Sequence, residues 1–309
     1  MRIRSPYSRR HGDIVDRPHG VRRDPYYNPV LTGSSRAQFA RMNRFPLLVF
    51  CLLVCAPLLA QSKRPAPKPA AGAVQAVPAA PKKEMAVPFK TGEVLEFDVG
   101  WSSYLTAGTA TATVKEKKPS YNAVAYYIVA EGRPTPLLAK LYTLYYKADT
   151  LLDVYSLLPQ RGSLYVEEGK RHRLKTTTFN QSAKTAKYEV QTATHVERDL
   201  SLPAFTQDAL STLYVLRSIS MKAGEKFNMP VTDAGDVYKV QMQVGAVEPI
   251  KTGLGTVNGL KIVPVVTLAK GTPPRGLAIW LSDDARRLPL KIEAQLAVGK
   301  FTVTLRSAR

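Results

Sequence analysis

The chain has 309 residues, with 44 Lys and Arg against 24 Asp and Glu, a formal net charge of +20, and a hydrophobic fraction of 45%. That is the balance of a globular protein, and the basic surplus raises nucleic acid as a first partner to test. Its distribution argues against one: more than half of the surplus lies before residue 91, and the mild remainder is spread without a basic recognition helix.

Residues 1–41 are rich in Arg, Pro and Tyr and show no apolar periodicity, so they read as a mis-called start or as disordered chain, with Met42 the natural beginning. Residues 42–60 follow the layout of a cleavable secretion signal. Arg44 precedes an apolar run closed by Ala60 before the polar Gln61, and the run is short of the roughly 20 residues a bilayer span needs. No stable membrane span is expected after cleavage. Cys51 and Cys55 both lie inside this run. Neither follows a small residue, so lipidation is not expected, and the mature chain would hold no cysteine for disulfides, thiolate chemistry or metal. Residues 61–88, with six prolines among Ala and Lys, read as a semi-rigid basic linker.

A single β-rich domain is expected over 89–309. Leu95, Phe97, Val99 and Trp101 alternate with Glu96, Asp98 and Gly100 as in a half-buried strand. After a turn at Ser102 and Ser103, a second strand runs through Gly108, Ala110, Ala112 and Val114, and a third over 121–131, broken by Pro134 and Pro136. Residues 137–146 read as a helical turn leading into a strand. Further strands are expected at 151–157, 162–167, 170–179 and 184–191, with Glu168-Gly169 as a hairpin turn. Residues 206–220 form the one clear helix. Its apolar arc holds Ala209, Leu210, Leu213, Tyr214 and Leu216, and its polar edge holds Gln207, Ser211 and Ser218. Strands follow at 226–231, 237–247, 256–268, 276–281, 288–296 and 300–305, with turns at 283–286 and at Val298-Gly299. The fold class is mainly β: a large bent antiparallel sheet or open half barrel with one buried helix on its concave face.

Three strings carry a family resemblance. They are Gly92-Glu93-Val94-Leu95 with Phe97, the helical run from Ala209 to Arg217, and Trp280-Leu281-Ser282-Asp283-Asp284-Ala285-Arg286-Arg287-Leu288-Pro289 with Lys291-Ile292-Glu293. Together they resemble the bacterial envelope proteins of domain-of-unknown-function family 3108, over roughly residues 87–309. The resemblance implies an envelope protein of β architecture, similar in general shape to half-barrel lipid carriers, and implies no mechanism.

Enzyme chemistry finds little support. His172 and His195 stand in no ligand spacing, no Gly-x-Ser-x-Gly elbow occurs, and Gly253-Leu254-Gly255 reads as a tight turn without the helix a phosphate cradle needs. Asp283 and Asp284 suit a turn better than an acid–base pair. No catalytic residue, cofactor or metal is expected. Arg217 is different, because it falls within the helix's apolar arc, where a guanidinium needs a partner or a route to water. One reading is a salt bridge to an acidic strand residue. The other is an anion-recognising arginine at a cavity mouth, with Tyr214 and Trp280 as ligand-binding neighbours, residues that suit core packing equally.

The leading reading is a non-enzymatic protein of the periplasm or cell envelope, binding an apolar or amphiphilic ligand such as a lipid or a cell-wall polymer segment. A structural or assembly factor for other envelope proteins is the alternative, and a hydrolase comes third. Intact-mass measurement of the protein from envelope fractions should place its amino terminus near Gln61. A product that retains residues 1–41 would sink the export reading.

Overall fold

The computed structural model describes residues 82–102, 105–192, 194–267, 275–296 and 299–309. The expected signal, the segment before it and the linker as far as residue 81 lie outside the described residues, as do turn positions Ser103 and Val298. The chain is held slightly earlier than composition implied. Glu84 pairs with Lys117 at 2.5 Å, the Met85 N–H donates to the Val154 carbonyl at 2.9 Å, and Val87 packs on the core.

In chain order come β1 (Val94–Trp101), β2 (Leu105–Ser120), β3 (Ala123–Pro134), the short helix α1 (Pro136–Leu141), β4 (Leu144–Asp153), β5 (Pro159–Glu168), β6 (Arg171–Asn180), β7 (Thr185–Gln191) and β8 (His195–Ser201). Then follow β9 (Gln207–Asp208), helix α2 (Ala209–Ser218), β10 (Lys226–Asn228), β11 (Val231–Asp233), β12 (Asp236–Thr252), β13 (Gly255–Thr267), β14 (Arg275–Ser282), β15 (Pro289–Leu296) and β16 (Gly299–Ala308). They form one sheet in the order β8-β7-β6-β5-β4-β3-β2-β1-β16-β15-β14-β13-β12-β11-β9, with β10 on β12. Neighbours are antiparallel except β9 on β11. Two meanders thus meet at β1 and β16, where Val99 faces Val303.

The sheet is mainly β, bent and open, as the alternation predicts. It differs from expectation in several places: the strand expected at 226–231 is two, β10 and β11, and the helix expected over 206–220 spans 209–218. β8 adds a strand whose residues are almost all exposed, so no apolar alternation marks it. β4 begins at Leu144 and ends at Asp153, and the Asp153 carboxylate then caps the turn by accepting from the Tyr155 and Ser156 N–H groups, both at 2.9 Å. Tyr121 and Asn122, read as strand, form the two-residue turn between β2 and β3 with φ of 46° and 62°, the positive-φ pair that a tight hairpin demands.

Side chains, not backbone pairing, bring the far ends of the sheet together. Gly235, in the turn between β11 and β12, packs on the ring of Tyr188 in β7, and a Cβ there would sit 2.6 Å from the ring. Gly162 in β5 likewise leaves room for the Asp208 carboxylate, 3.0 Å from where its Cβ would be. Asp208 also accepts from the Thr150 hydroxyl of β4 at 2.7 Å. The same carboxylate starts α2: it accepts from the Ser211 N–H at 2.8 Å, and the Ser211 hydroxyl accepts from the Asp208 N–H at 2.9 Å, a reciprocal cap. This corrects the expected polar edge. Gln207 and Ser211 are buried, because they serve the cap and the backbone beside it and not solvent.

Apolar residues divide between the two faces. Tyr214, Val215 and Leu216 of α2 pack with Ile128, Leu152, Met242, Ile262 and Leu281 on the concave side. On the other side, Leu95, Phe97, Ala112, Trp280, Leu290 and Leu305 form a second cluster with Ile250. The β12–β13 hairpin reaches this cluster by bending at a register shift between Val244 and Val247, and its tip is held where the Gly253 N–H donates to the Leu305 carbonyl at 2.8 Å.

Burial holds the Asp208 carboxyl above the ordinary carboxylate range, against the downward pull of the Ser211 N–H and the Thr150 hydroxyl. A carboxyl raised in the folded state binds its proton more tightly there than when unfolded. Its effect on stability is therefore most favourable below the unfolded value of about 3.9 and worsens as pH rises through the folded value. Asn also caps helices. In urea titrations, Asp208→Asn should gain on the wild type progressively from acid to neutral pH. A difference that stays constant with pH would show that the carboxylate ionises normally.

Candidate functional site

Helix α2 lies on the concave face and does not cover all of it. Tyr214 and Leu216 are fully buried, whereas Leu210 and Leu213 are only partly so and face an open cleft of about 440 Å³. Its opposite wall comes from inward positions of successive strands: Val240 and Met242 of β12, Val266 of β13, Ile279 of β14 and Ile292 of β15. These rows follow from register, since Val240 faces Val266 and Ile279 faces Ile292. Thr212, Asp233 and Tyr238 are the polar lining residues, and Asp233 is exposed at the margin. Burial pushes the Tyr238 phenol up, with Asp236 and Asp233 adding to the shift. Pockets for small apolar ligands are commonly roughly 300–1,000 Å³ with a few polar groups on an apolar lining. This cleft has that size and character.

The sheet is split beside the cleft. β13 pairs with β14 only where Gly259 to Ile262 face Ser282 to Ile279. Beyond that, the described part of β13 pairs with β12 and the start of β14 pairs with β15. Pro264, which has no N–H to donate, sits in the unpaired stretch. On the other side of α2's first turn is a small pocket of about 140 Å³, sharing Ala209, Leu210 and Asp233 with the cleft and lined elsewhere by apolar residues such as Leu164 and Ala234 together with the polar Asp149, Ser163 and Lys175. There the Asp149 carboxylate accepts from Arg161 at 2.8 Å and from the Ser163 hydroxyl, with Lys175 alongside.

The residues singled out from sequence lie elsewhere. Arg217 is 2% exposed and paired: its two terminal nitrogens donate to the two Glu93 oxygens at 2.6 and 2.8 Å, and one also reaches the Arg286 carbonyl at 3.4 Å. Its guanidinium lies beside the Phe89 and Tyr214 rings, 5.4 and 5.2 Å from their centroids. This is the salt-bridge reading, with Glu93 immediately before β1 as the acid. Tyr214 is fully buried, edge-on to Phe89 at 5.0 Å, and burial raises its phenol pKa. Trp280 is on the opposite face of the sheet, because it alternates with Ile279 and Leu281. Its indole donates to Glu248, and Lys261 and Lys291 flank its ring at 5.1 and 4.9 Å. None of the three lines the cleft. Three lining residues, Ala209, Leu210 and Leu213, were visible as part of the helix's apolar arc. The strand positions were visible only as inward members of an alternation, with nothing to mark a void in front of them.

Other candidates resolve into local structure. Asp284 accepts from the Ser282 hydroxyl at 2.6 Å and from the Arg286 N–H at 3.0 Å, so it organises the β14–β15 turn. His172 lies 3.2 Å from the Tyr165 hydroxyl at the exposed start of β6. Glu189, His195 and Glu197 have ligand atoms within 4.8 Å of one another at the β7–β8 edge. His195 and then Lys187, 3.0 Å away, hold Glu197 below its usual range, so ion pairing accounts for the group.

Residues 96–306 match the model of DUF3108, described as a protein of unknown function. No curated protein matches the chain. Among solved structures, it is similar to a β-barrel-like protein of domain of unknown function DUF1849 from Brucella abortus. That protein is 11% identical, the match covers 71% of this chain and 97% of that one, and the TM-score is 0.43. It is also similar to a protein with a YmcC-like fold from Bacteroides fragilis, 10% identical over 74% of this chain and 100% of that one, with a TM-score of 0.30.

Breaking a buried ion pair on one side leaves the partner's charge uncompensated. Arg217→Met should therefore cost about 3–5 kcal/mol in chemical denaturation. Adding Glu93→Leu to that variant removes the stranded carboxylate and should recover most of the loss. A single variant as stable as the wild type would mean that Glu93 finds solvent without the arginine.

Proposed function

We propose that this chain, which belongs to the DUF3108 family, is an exported, non-enzymatic binding protein of the cell envelope that holds the apolar part of an amphiphile in the cleft beneath α2. The observation that carries this reading is the cleft itself. It is preformed, apolar on both walls, and open along a split in the sheet. Transfer of a hydrocarbon chain from water into such a lining is favourable by roughly 0.8 kcal/mol per buried CH₂. An occupant burying about ten methylenes, roughly 8 kcal/mol, would thus offset a mid-range cost of association.

The Asp149, Ser163 and Lys175 side chains in the adjoining pocket support an amphiphile over a purely apolar ligand. A molecule lying across Leu210 would have its chain against Leu213, Met242 and Ile279, and its polar end beside Ser163, Lys175 and Asp233. Export, and with it a periplasmic or envelope location, rests on the apolar run at 42–60. Among the described residues no helix is long and apolar enough to cross a membrane.

Native mass spectrometry of protein purified from envelope fractions, followed by organic extraction, should reveal a bound amphiphile. The double variant Leu210→Phe/Leu213→Phe fills the cleft from its partly exposed wall and should lose that adduct while melting no lower than the empty wild type. With a lysophospholipid probe, the wild type should be stabilised on titration and the filled variant should not. A wild type that carries no adduct and does not respond to the probe would refute the binding role. A co-purified protein with the cleft empty would favour the assembly-factor reading instead.

A further inference from the structure

We infer that the rim of the sheet bearing α1 docks on a membrane surface that contains anionic phospholipid. The inference concerns a different surface from the cleft and stands whether or not the cleft takes an amphiphile.

Strand register places several turns at one rim. β1 ends at Trp101, which faces Phe301 near the start of β16; β3 ends at Pro134 opposite Gly108; and β4 begins at Leu144 opposite Glu168, which in turn faces Arg171. Helix α1 lies between β3 and β4, tied down by the Thr135 N–H donating to the Ala107 carbonyl at 2.9 Å. The β5–β6 turn rests against it: the Gly169 N–H donates to the Thr143 carbonyl at 2.8 Å, and Gly169 lies under the Tyr142 ring.

This rim is apolar where a soluble surface has no use for it. Leu137, Leu141 and Tyr142 are 71%, 77% and 55% exposed, and α1 buries none of its residues. Helices this short are not stable in water on their own. Here a Thr135 cap and Pro136 at the first position preform it, while Leu137 and Leu141, one turn apart, point to solvent. Trp101, stacked on Phe301, and Tyr146 add amphipathic rings along the same rim.

Charge selects the partner. Lys140, Lys170 and Arg171 are exposed, and among the described residues none has an acidic partner. The acids nearby are already engaged, Glu168 by Arg173 and the Tyr146 hydroxyl, and Glu131 by the Tyr145 hydroxyl. Leucines and aromatic rings flanked by unpaired cations are the composition of a surface that enters the headgroup region of an anionic bilayer.

The chain has two tryptophans, one on this rim and one buried, so emission reports the rim directly. Protein purified from envelope fractions is mixed with phosphatidylcholine vesicles containing phosphatidylglycerol and a lipid spin-labelled high on its acyl chain. Quenching is expected, and it should vanish in Trp101→Phe, in vesicles of phosphatidylcholine alone and at high salt. Leu137→Glu/Leu141→Glu should melt like the wild type and weaken quenching-detected affinity roughly tenfold or more. Leu210→Phe/Leu213→Phe should dock unchanged, so a failed cleft and a failed rim remain distinguishable. Unquenched emission on anionic vesicles, or full quenching in the double glutamate variant, overturns the docking. Equal quenching on neutral vesicles overturns the anionic preference.

Discussion

The bidentate contact between Arg217 and Glu93 determines how α2 can lie in the sheet. The helix's apolar stripe supplies attraction but little direction, since burial is non-directional. A planar guanidinium meeting a carboxylate through two parallel hydrogen bonds is directional. Glu93 precedes β1, which lies where the two meanders join, and the Arg286 carbonyl belongs to the β14–β15 turn. One side chain therefore refers the helix to the middle of the sheet and to one of its turns. The three strings by which the sequence resembles its family each contribute one of these groups. A pair this desolvated adds little net stability over an apolar equivalent, so its contribution is placement.

Placement matters because the helix is too small for the surface beneath it. Ten residues of α2 extend about 15 Å, whereas the 17 residues of β12 would extend about 55 Å. The bend at Val244–Val247 sends the second half of β12 to the other face, where Ile250 covers Trp280 and Leu290. The first half stays on the concave side, and α2, anchored by Arg217 near its C-terminal end, leaves Val266 and Ile292 only partly covered. The cleft is what remains when a fixed short helix meets a longer apolar floor. The two closing contacts, Tyr188 on Gly235 and Asp208 over Gly162, keep the sheet curled without filling that space.

Much of this architecture was legible in the sequence because strands with one wet and one dry face announce themselves by alternation. Leu95 to Trp101 and Gly108 to Val114 are such cases. β8 was invisible, because an edge strand of His195, Glu197, Arg198 and Asp199 guards an open edge with charge and has no dry face. The helix was legible, and Arg217 stood out as misplaced, but its partner lies 124 residues away and no local pattern names it. Ser211 and Gln207 look like a solvent face on a helical wheel. They are buried because the Ser211 hydroxyl serves the helix cap and the Gln207 amide nitrogen donates to the Leu157 carbonyl, which periodicity does not register. The cleft was illegible for a more basic reason: a lining residue and a core residue obey the same alternation, and only the presence of something opposite tells them apart.

The site's opening and the apolar rim share one end of the sheet. Lys239 faces Thr267 and Arg275 faces Gln295, so the unpaired stretch between β13 and β14 ends on the same side as Trp101 and Gly299. In a closed barrel an occupant would have to leave through the end and pass its chain through water, at roughly 0.8 kcal/mol for every methylene exposed. A seam where, among the described residues, β13 and β14 are not paired beyond Ile262 offers a lateral route. A rim seated in headgroups shortens the distance between that seam and the hydrocarbon. The lack of backbone pairing beyond Ile262 and the leucines left outside on α1 look like separate defects in a β-sheet protein. In a protein that exchanges an amphiphile with a membrane, each supplies what the other requires.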